Sequence, residues 1–365
     1  MILIGNPANR RVTMYLDAMA AQGHPAPRVV SWIDILRDGV PELDGVVRID
    51  SSGEDDEVER ALLQRGEAAA RAEGSPAISA VELEQIPNEV GRILHPRQHH
   101  LGFVDVVNEI EARGGHARLL PPPAAIRELF DKRAASARWQ AAGIPMPDAL
   151  PPTTDPDEVR AMMRERRWRE VYVKITSGSS ASCLALFTHT ARGEEVITTV
   201  EDTGTARYNT RKLQRLTRRA AIDRTLGFIL GEHAIVERAI PKAQVDGRHF
   251  DLRVLAIDGV AAFVVMRTSP HPITNLHLGG LRGDVEALKQ RIAPDAWDAA
   301  MASCVKVQQL TGAFLVGVDL MFEPDLRSHR VIEGNAFGDL LPGLSRDGLD
   351  VYGWQIHRLL GTVQR

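Results

Sequence analysis

FLVGVDLMF at residues 314–322 and HRVIEGN at 329–335 carry the reading of this chain. Taken as antiparallel strands joined by the polar loop EPDLRSH, residues 314–322 and 330–335 pair in a simple register that sets Asp319 opposite Glu333. Period-2 alternation places Asp319 on the face shared with Gly317, while Phe314, Val316, Val318, Leu320 and Phe322 point the other way into an apolar layer. Glu333 and Asn335 share a face as well. Like charges opposed at about 5 Å on a sheet are unfavourable, so something positive is expected between them. A hard divalent cation suits the arrangement: magnesium takes oxygen ligands and is usually held by one or two carboxylates plus substrate phosphates. A metal–nucleotide site is therefore one reading of the pair. Carboxylates that are solvated or paired with arginine on a hairpin are the other.

At 365 residues the chain is longer than one ordinary core, and two or three domains of mixed class are expected. Hydrophobic residues at 44%, charged residues at 25% and a net charge of −4 exclude any general attraction to nucleic acid or anionic membrane, so a basic patch has to be local. The longest apolar stretches, such as VAAFVVM at 260–266, fall far short of the roughly 20 residues that span a bilayer. MILIGNPANRR reads as a first strand entering a Gly-Asn-Pro turn rather than as a signal peptide. The two cysteines, Cys183 and Cys304, lack ligand-type spacing, and a reduced cytoplasmic protein is the expectation.

Pro121-Pro122-Pro123 and GIPMPDALPP at 143–152 break the chain. The unit before them, residues 1–122, reads as α/β: strands at 1–5 and 27–31, and helices near 9–22, 55–73 and 102–114. The charged stretch of the 55–73 pattern is a solvated helix face. FDKRAASARWQAAGIPMP is a short helix closed at Gly143 and stopped by Pro145.

Beyond it, VYVKI at 171–175 is a buried strand carrying Lys174. The small-residue loop 176–182 that follows offers backbone N–H groups and hydroxyls able to wrap an anion. HAIVERAI at 233–240 is a further apolar strand with Glu237 near its end. DLRVLAIDGVAAFVVMRTS at 251–269 is a long hairpin about Asp258-Gly259. In the two-residue-turn register Arg267 falls opposite Phe250; only a one-residue bulge sets it across from Asp251.

The order of these parts is itself informative. An Asp131-Lys132 helix, a strand lysine with a small-residue loop, VERAI, a hairpin with Asp-Leu-Arg and Met-Arg-Thr-Ser, Asn275-Leu276-His277-Leu278-Gly279-Gly280, Gly317-Val318-Asp319 and Glu333-Gly334-Asn335 follow one another. Over residues 125–350 this succession resembles the ATP-grasp superfamily, and within it the ribosomal-protein glutamate ligase and glutathione synthetase branch. The resemblance implies two α+β subdomains gripping ATP, at residues 123–240 (lid and hinge) and 241–365 (metal-bearing), after an N-terminal α/β domain at 1–122. It implies ATP and magnesium, with manganese as an alternative.

Carried over by position, Lys132 and Lys174 contact the phosphates, and Ser177, Gly178, Ser179 and Ser180 of the loop close over them. The backbone of Val236, Glu237, Arg238 and Ala239 reads the adenine. Asp319, Glu333 and Asn335 hold the metal, and Arg253, Arg267 and Asn275 face the terminal phosphate or the acceptor carboxylate. This chain departs from many relatives in having Ile175 and a serine-rich loop after the strand lysine. The ribose-binding acid has no clear counterpart, with Gln244 and Asp246 as candidates.

The implied reaction is that of a carboxylate–amine (or thiol) ligase working through an acylphosphate, on a small molecule or peptide. Its alternative is a nucleotide-binding regulatory or assembly protein without turnover. No GxxxxGK[ST], GxGxxG or HExxH is present, which argues against P-loop, Rossmann and zincin chemistry. His95, Arg97, His99 and His100, with the polar turn DSSGED at 50–55, are candidates for acceptor binding or for plain interdomain packing. The arginine-rich stretch 207–224 reads as a solvated helix face or as an attractor of acidic substrates. His271 and His277 are taken as local structure. No nucleic-acid or membrane partner is expected, and self-association is left open.

Overall fold

The computed structural model describes residues 1–178 and 181–361. Among these the strands form three main sheets and a two-stranded ribbon. The first is parallel, in the order Arg28–Val30, Ile2–Ile4, Val46–Ile49, Arg118–Leu120. Its last two strands are short and were not visible in the sequence pattern. Asn9 caps the helix Arg10–Ala21 by accepting from Arg11 N at 2.8 Å. Asp55 caps Asp56–Glu73, which Gly74 closes at φ +77°.

The helix expected at 102–114 begins earlier, at Pro96, and runs Pro96–Arg113. Its first turns carry Gln98, His99 and His100 in place of apolar residues, so the hydrophobic period starts late although the proline pre-sets the first turn. This helix lies backbone to backbone on Asp56–Glu73. A Cβ at Gly66 would sit 1.9 Å from Gln98 O, and one at Gly102 would sit 1.9 Å from Leu62 O. Gly66→Ala is therefore expected to force the pair apart and destabilise the protein by about 2–3 kcal/mol, read as a lower urea midpoint.

The second sheet is antiparallel: Arg207–Leu216, Gly193–Asp202, Leu184–Thr190, Glu170–Ile175, Ala234–Arg238. The helices Pro156–Glu165 and Arg219–Gly231 cover it over a core of Val171, Val173, Phe187, Val196, Ile222 and Leu226. The arginine-rich stretch is thus corrected: its first half is a charged edge strand, and only from Arg219 is it helical. Charges at mixed spacing give a weak period, and pairing with Gly193–Asp202 decides.

The third sheet runs Leu281–Gly283, Val260–Ser269, Arg248–Ile257, Leu315–Phe322, His329–Asn335, with Gln244–Val245 alongside Arg248–Ile257. Asp258 and Gly259 form the tight turn with φ +46° and +78°. Two bulges then set the site. The first skips Ala262, so that Asp251 does lie opposite Arg267. The second skips Ile332: the strand starts at His329, one residue earlier than read, and the bulge restores Asp319 opposite Glu333.

Val316, Val318, Leu320 and Phe322 enter the main core with Phe250, Leu252, Val254, Cys304 and Val307. Phe314 does not join them. It lies outside the strand and packs in a smaller cluster with Leu255, Ile257 and Trp354. The helix Val351–Leu360 returns to the first sheet, where Tyr352 and Ile356 pack on Leu3, Tyr15 and Met19. Arg48 is held between the rings of Tyr15 (4.4 Å) and Tyr352 (5.7 Å) and bonded to Gln355 and Asp50. This contact ties the N-terminal unit to the third sheet's end of the molecule. Among the described residues no helix is long and apolar enough to cross a membrane.

Candidate active site between the sheets

Asp319 lies between Arg253 on one neighbouring strand and Glu333 on the other. The positive charge expected at the acidic pair is present as side chains. Arg253 donates to both Asp319 oxygens, Nη2 to Oδ2 at 3.2 Å, and Arg267 Nη2 approaches Oδ2 at 3.1 Å. Arg267 also donates to Asp251 at 2.7 Å, and Arg253 Nη1 reaches Asp339 at 3.3 Å. Asp319 is 6% exposed. Burial alone would raise its carboxyl, but Arg253 and Arg267 overcome that and hold it at about 2. Glu333 is more open, 19% exposed at the side chain, and faces Lys132 Nζ at 3.7 Å.

Lys132 and Lys174 converge from two directions. Lys174 projects from Glu170–Ile175 and pairs with Glu237 at 2.8 Å. Burial pulls its ammonium down, but Glu237, with Glu333 beyond, leaves it above the ordinary lysine value. Lys132 opens a helix capped by Asp131 and donates to Gly178 O and, at 3.4 Å, to Thr176 O. Burial outweighs Glu333 and leaves Lys132 below the ordinary value. The lysine therefore holds down the base of the small-residue loop. Ser177 and Gly178 line the cleft; Ser179 and Ser180 lie outside the described residues. A Cβ at Gly178 would meet Ile175 Cγ1 at 2.6 Å, so the loop's single glycine lets it fold back over the strand.

The backbone of the proposed hinge is partly committed to its neighbours. Val236 is in the core of the second sheet, and its carbonyl accepts from Leu150 N at 2.8 Å. The N–H groups of Arg238 and Ala239 are committed to Asp148 O (2.8 Å) and Glu170 O (3.0 Å), so neither is free to read a base. The residues that line the slot are Glu237, Arg238 and, one position further, Ile240. Its apolar walls are Tyr172, Ile175 and Leu184 from the second sheet and Met321 and Ile332 from the third, a lining suited to an aromatic ring.

Neither ribose candidate reaches it. Gln244 pairs with His249 at 3.1 Å, and exposed Asp246 pairs with Arg291 at 3.7 Å. Lys242, which the sequence reading missed, stands there instead, bonded to Asp251 (3.4 Å) and Thr274 (2.5 Å). Asn275 lines the same region, but its Oδ1 accepts from His277 N at 2.8 Å and caps a short 3₁₀ turn.

The slot opens into a second cleft of 740 Å³ that runs from Asp319, Glu333, Arg253 and Arg282 to the N-terminal unit. Ser51, Ser52, Gly53 and Glu54 of the polar turn line it, as do His99 and His100. The strand order of the first sheet switches sides between the parallel neighbours Ile2–Ile4 and Val46–Ile49, and the cleft is lined by residues that follow the carboxyl ends of those strands, the usual ligand position of an open α/β sheet. Arg97 and His95 turn away from it. Arg97 forks onto Glu73, both contacts at 2.7 Å, and its backbone N–H donates to Glu232 of the second-sheet unit at 2.9 Å.

Glu232 is 2% exposed, and burial lifts its carboxyl to about 7 against the opposing pull of Arg97 N–H. Because the folded state holds this proton more tightly than the unfolded chain, stability falls as pH rises from about 4.5 to about 7 and is lowest above that. Glu232→Gln keeps the acceptor without the charge. It is therefore expected to match the wild type at pH 4.5 and to exceed it by about 2–3 kcal/mol at pH 8, read from urea denaturation at both pH values.

Among the described residues no three His, Cys, Asp or Glu side chains converge as a ready-made metal site. The donors present still fit a hard cation: two carboxylates across one strand pair, and Asn335, whose Nδ2 is bound to Gly317 O at 3.0 Å, leaving Oδ1 to accept.

No protein-family profile and no curated protein matches the chain. Solved structures do. The ATP-grasp ligase PsnB complexed with minimal precursor matches with TM-score 0.56 at 16% identity, over 99% of this chain and 98% of that one. The D-cycloserine synthetase DcsG matches with TM-score 0.57 at 17% identity, over 98% of each. A Chryseobacterium gregarium RiPP-associated ATP-grasp ligase, in complex with ADP and a leader and core peptide, matches with TM-score 0.54 at 12% identity, over 100% of this chain and 97% of that one. The chain has the ATP-grasp fold, as the succession of its motifs implied.

Proposed function

We propose that this protein is an ATP- and magnesium-dependent ligase that joins a carboxylate to an amine through an acylphosphate. The observation that carries the reading is a pair of adjacent cavities with shared walls: a slot rimmed by two buried lysines and a polar cleft large enough for a second substrate, both lined by Lys132, Asp319 and Glu333. In the reaction proposed, a carboxylate oxygen takes the terminal phosphoryl group of ATP, releasing ADP. The amine nitrogen then attacks the acyl carbon, phosphate leaves, and the nitrogen gives up a proton.

Lys132 and Lys174 would hold phosphate oxygens, which requires Lys174 to exchange Glu237 for the nucleotide. Arg253 and Arg267 would share their charge between Asp319 and the transferring group. Asp319, Glu333 and the Asn335 amide oxygen would hold the magnesium ion, whose chemistry here is neutralisation of phosphate charge. No nucleophilic side chain is needed, because positioning and electrostatics carry such a transfer. The cleft's volume, and the peptides held by PsnB and the C. gregarium ligase, favour a peptide or amino-acid-sized acceptor over a macromolecular surface.

Hydroxylamine trapping tests the proposal: with Mg-ATP and a screen of carboxylates, a hydroxamate and stoichiometric ADP are expected. A phosphate ester in place of the hydroxamate would make the protein a kinase. One observation favours the reading without turnover, namely that Asp319 is already satisfied by two arginines. Magnesium-dependent ATP binding with no product from any carboxylate would support it.

A further inference from the structure

We propose that His100 is a substrate-binding residue whose Nε2–H holds an oxygen of the carboxylate to be activated; the inference rests on the ligase reading above. His100 lies one turn into the helix Pro96–Arg113 and lines the cleft beside Phe130, Lys132, Glu333 and Phe337. Its ring is stacked on Phe130 at 6.3 Å and 20°, so its orientation is set by packing before any ligand arrives.

The residue is 7% exposed. Nδ1 is enclosed and has no hydrogen-bond partner. Nε2 has none among the described residues either but is not among the enclosed atoms, and since His100 lines the cleft, Nε2 is assigned to the cleft side. A donor N–H sealed off without an acceptor costs about 1–3 kcal/mol, so the proton belongs on Nε2 and the bare lone pair on Nδ1. Burial, with Arg97, His99 and Lys132 nearby, pushes the imidazole down to about 4, and the ring is a neutral donor at ordinary pH.

That chemistry selects the partner. The charges acting on the ring are mixed, Arg97 and Lys132 positive and Asp131 negative, so it is the donor N–H itself that calls for an acceptor oxygen, with Lys132 on the same cleft wall as a cation for a carboxylate. A donor set against the amine would instead mask the lone pair that has to attack. The histidine is therefore assigned to the carboxylate half of the reaction, on the N-terminal wall of the cleft.

Two substitutions separate this role from packing. Glutamine can place an N–H near the Nε2 position and asparagine near Nδ1. His100→Asn is expected to lower kcat/KM for the carboxylate about 10–100-fold, with the Kd for Mg-ATP unchanged by calorimetry, while His100→Gln recovers most of the loss. Equal activity of the asparagine variant and the wild type would overturn the assignment. So would equal losses in both variants, which would mean that the ring only packs.

The tautomer is read independently by ¹⁵N NMR of histidine-labelled protein, with the His100 signal identified by its disappearance in His100→Asn. A proton on Nε2 supports the proposal and a proton on Nδ1 sinks it. This arm stands even if the ligase reading itself fails, which would show separately as wild-type protein releasing no ADP with any carboxylate.

Discussion

Asp319→Asn is expected to lose magnesium-dependent ATP binding and a large part of the fold's stability together. The carboxylate is the shared anion of Arg253 and Arg267, all three are largely buried, and among the described residues Arg267 has only Asp251 besides. Removing one partner from a buried ion cluster leaves uncompensated charge and typically costs about 3–5 kcal/mol. Turnover is expected to fall by about 10³-fold or more, because the same carboxylate is a proposed metal ligand and the arginines it orients are proposed to face the transferring phosphoryl group. Urea denaturation and calorimetry with ATP, with and without magnesium, check the two halves separately. A destabilised variant that binds Mg-ATP like the wild type would reduce Asp319 to an arginine anchor and remove it from the metal site.

Glu333→Gln is expected to behave differently at the other end of the same pair. Its side chain is partly open, and its ion pair with Lys132 is long at 3.7 Å. The stability cost is expected to stay within about 1 kcal/mol. Turnover should nevertheless fall by about 10³-fold, since the substitution removes one of two metal-ligand charges. Wild-type rates of ADP release from this variant would refute the metal assignment, and because the fold is spared the result cannot be ascribed to unfolding. The contrast between the two substitutions separates an arginine-paired carboxylate from a metal-ligating one, the two readings that the sequence left open.

Much of the site was legible because the signals are local. Strand alternation in FLVGVDLMF, the Asp258-Gly259 turn, the Gly143 stop and the placement of Lys174 on a buried strand all depend on neighbours a few residues apart. The opposition of Asp319 and Glu333 was also readable, although it is reached through a bulge at Ile332 that no local pattern shows. The long-range pairings were not readable. That Glu237 would neutralise Lys174, that Lys242 rather than Gln244 or Asp246 would enter the slot, and that Glu232 would accept from the first turn of Pro96–Arg113 each depend on how one sheet faces another. Nor was it readable that the N–H groups of Arg238 and Ala239 in the proposed hinge would be bonded to Asp148 and Glu170.

The sequence by itself determined the succession of strands, turns and caps, and with it the ATP-grasp order and the chemical kinds present at the site: two lysines, two carboxylates, an amide and two arginines. These follow from periodicity and backbone preference, which act over a few residues. Only the tertiary structure decided which cation each carboxylate holds, that Nδ1 of His100 is enclosed without a partner, and that the N-terminal unit supplies the cleft's far wall. Those outcomes are set by burial and by charges brought together from distant parts of the chain, where desolvation makes one pairing much better than its alternatives.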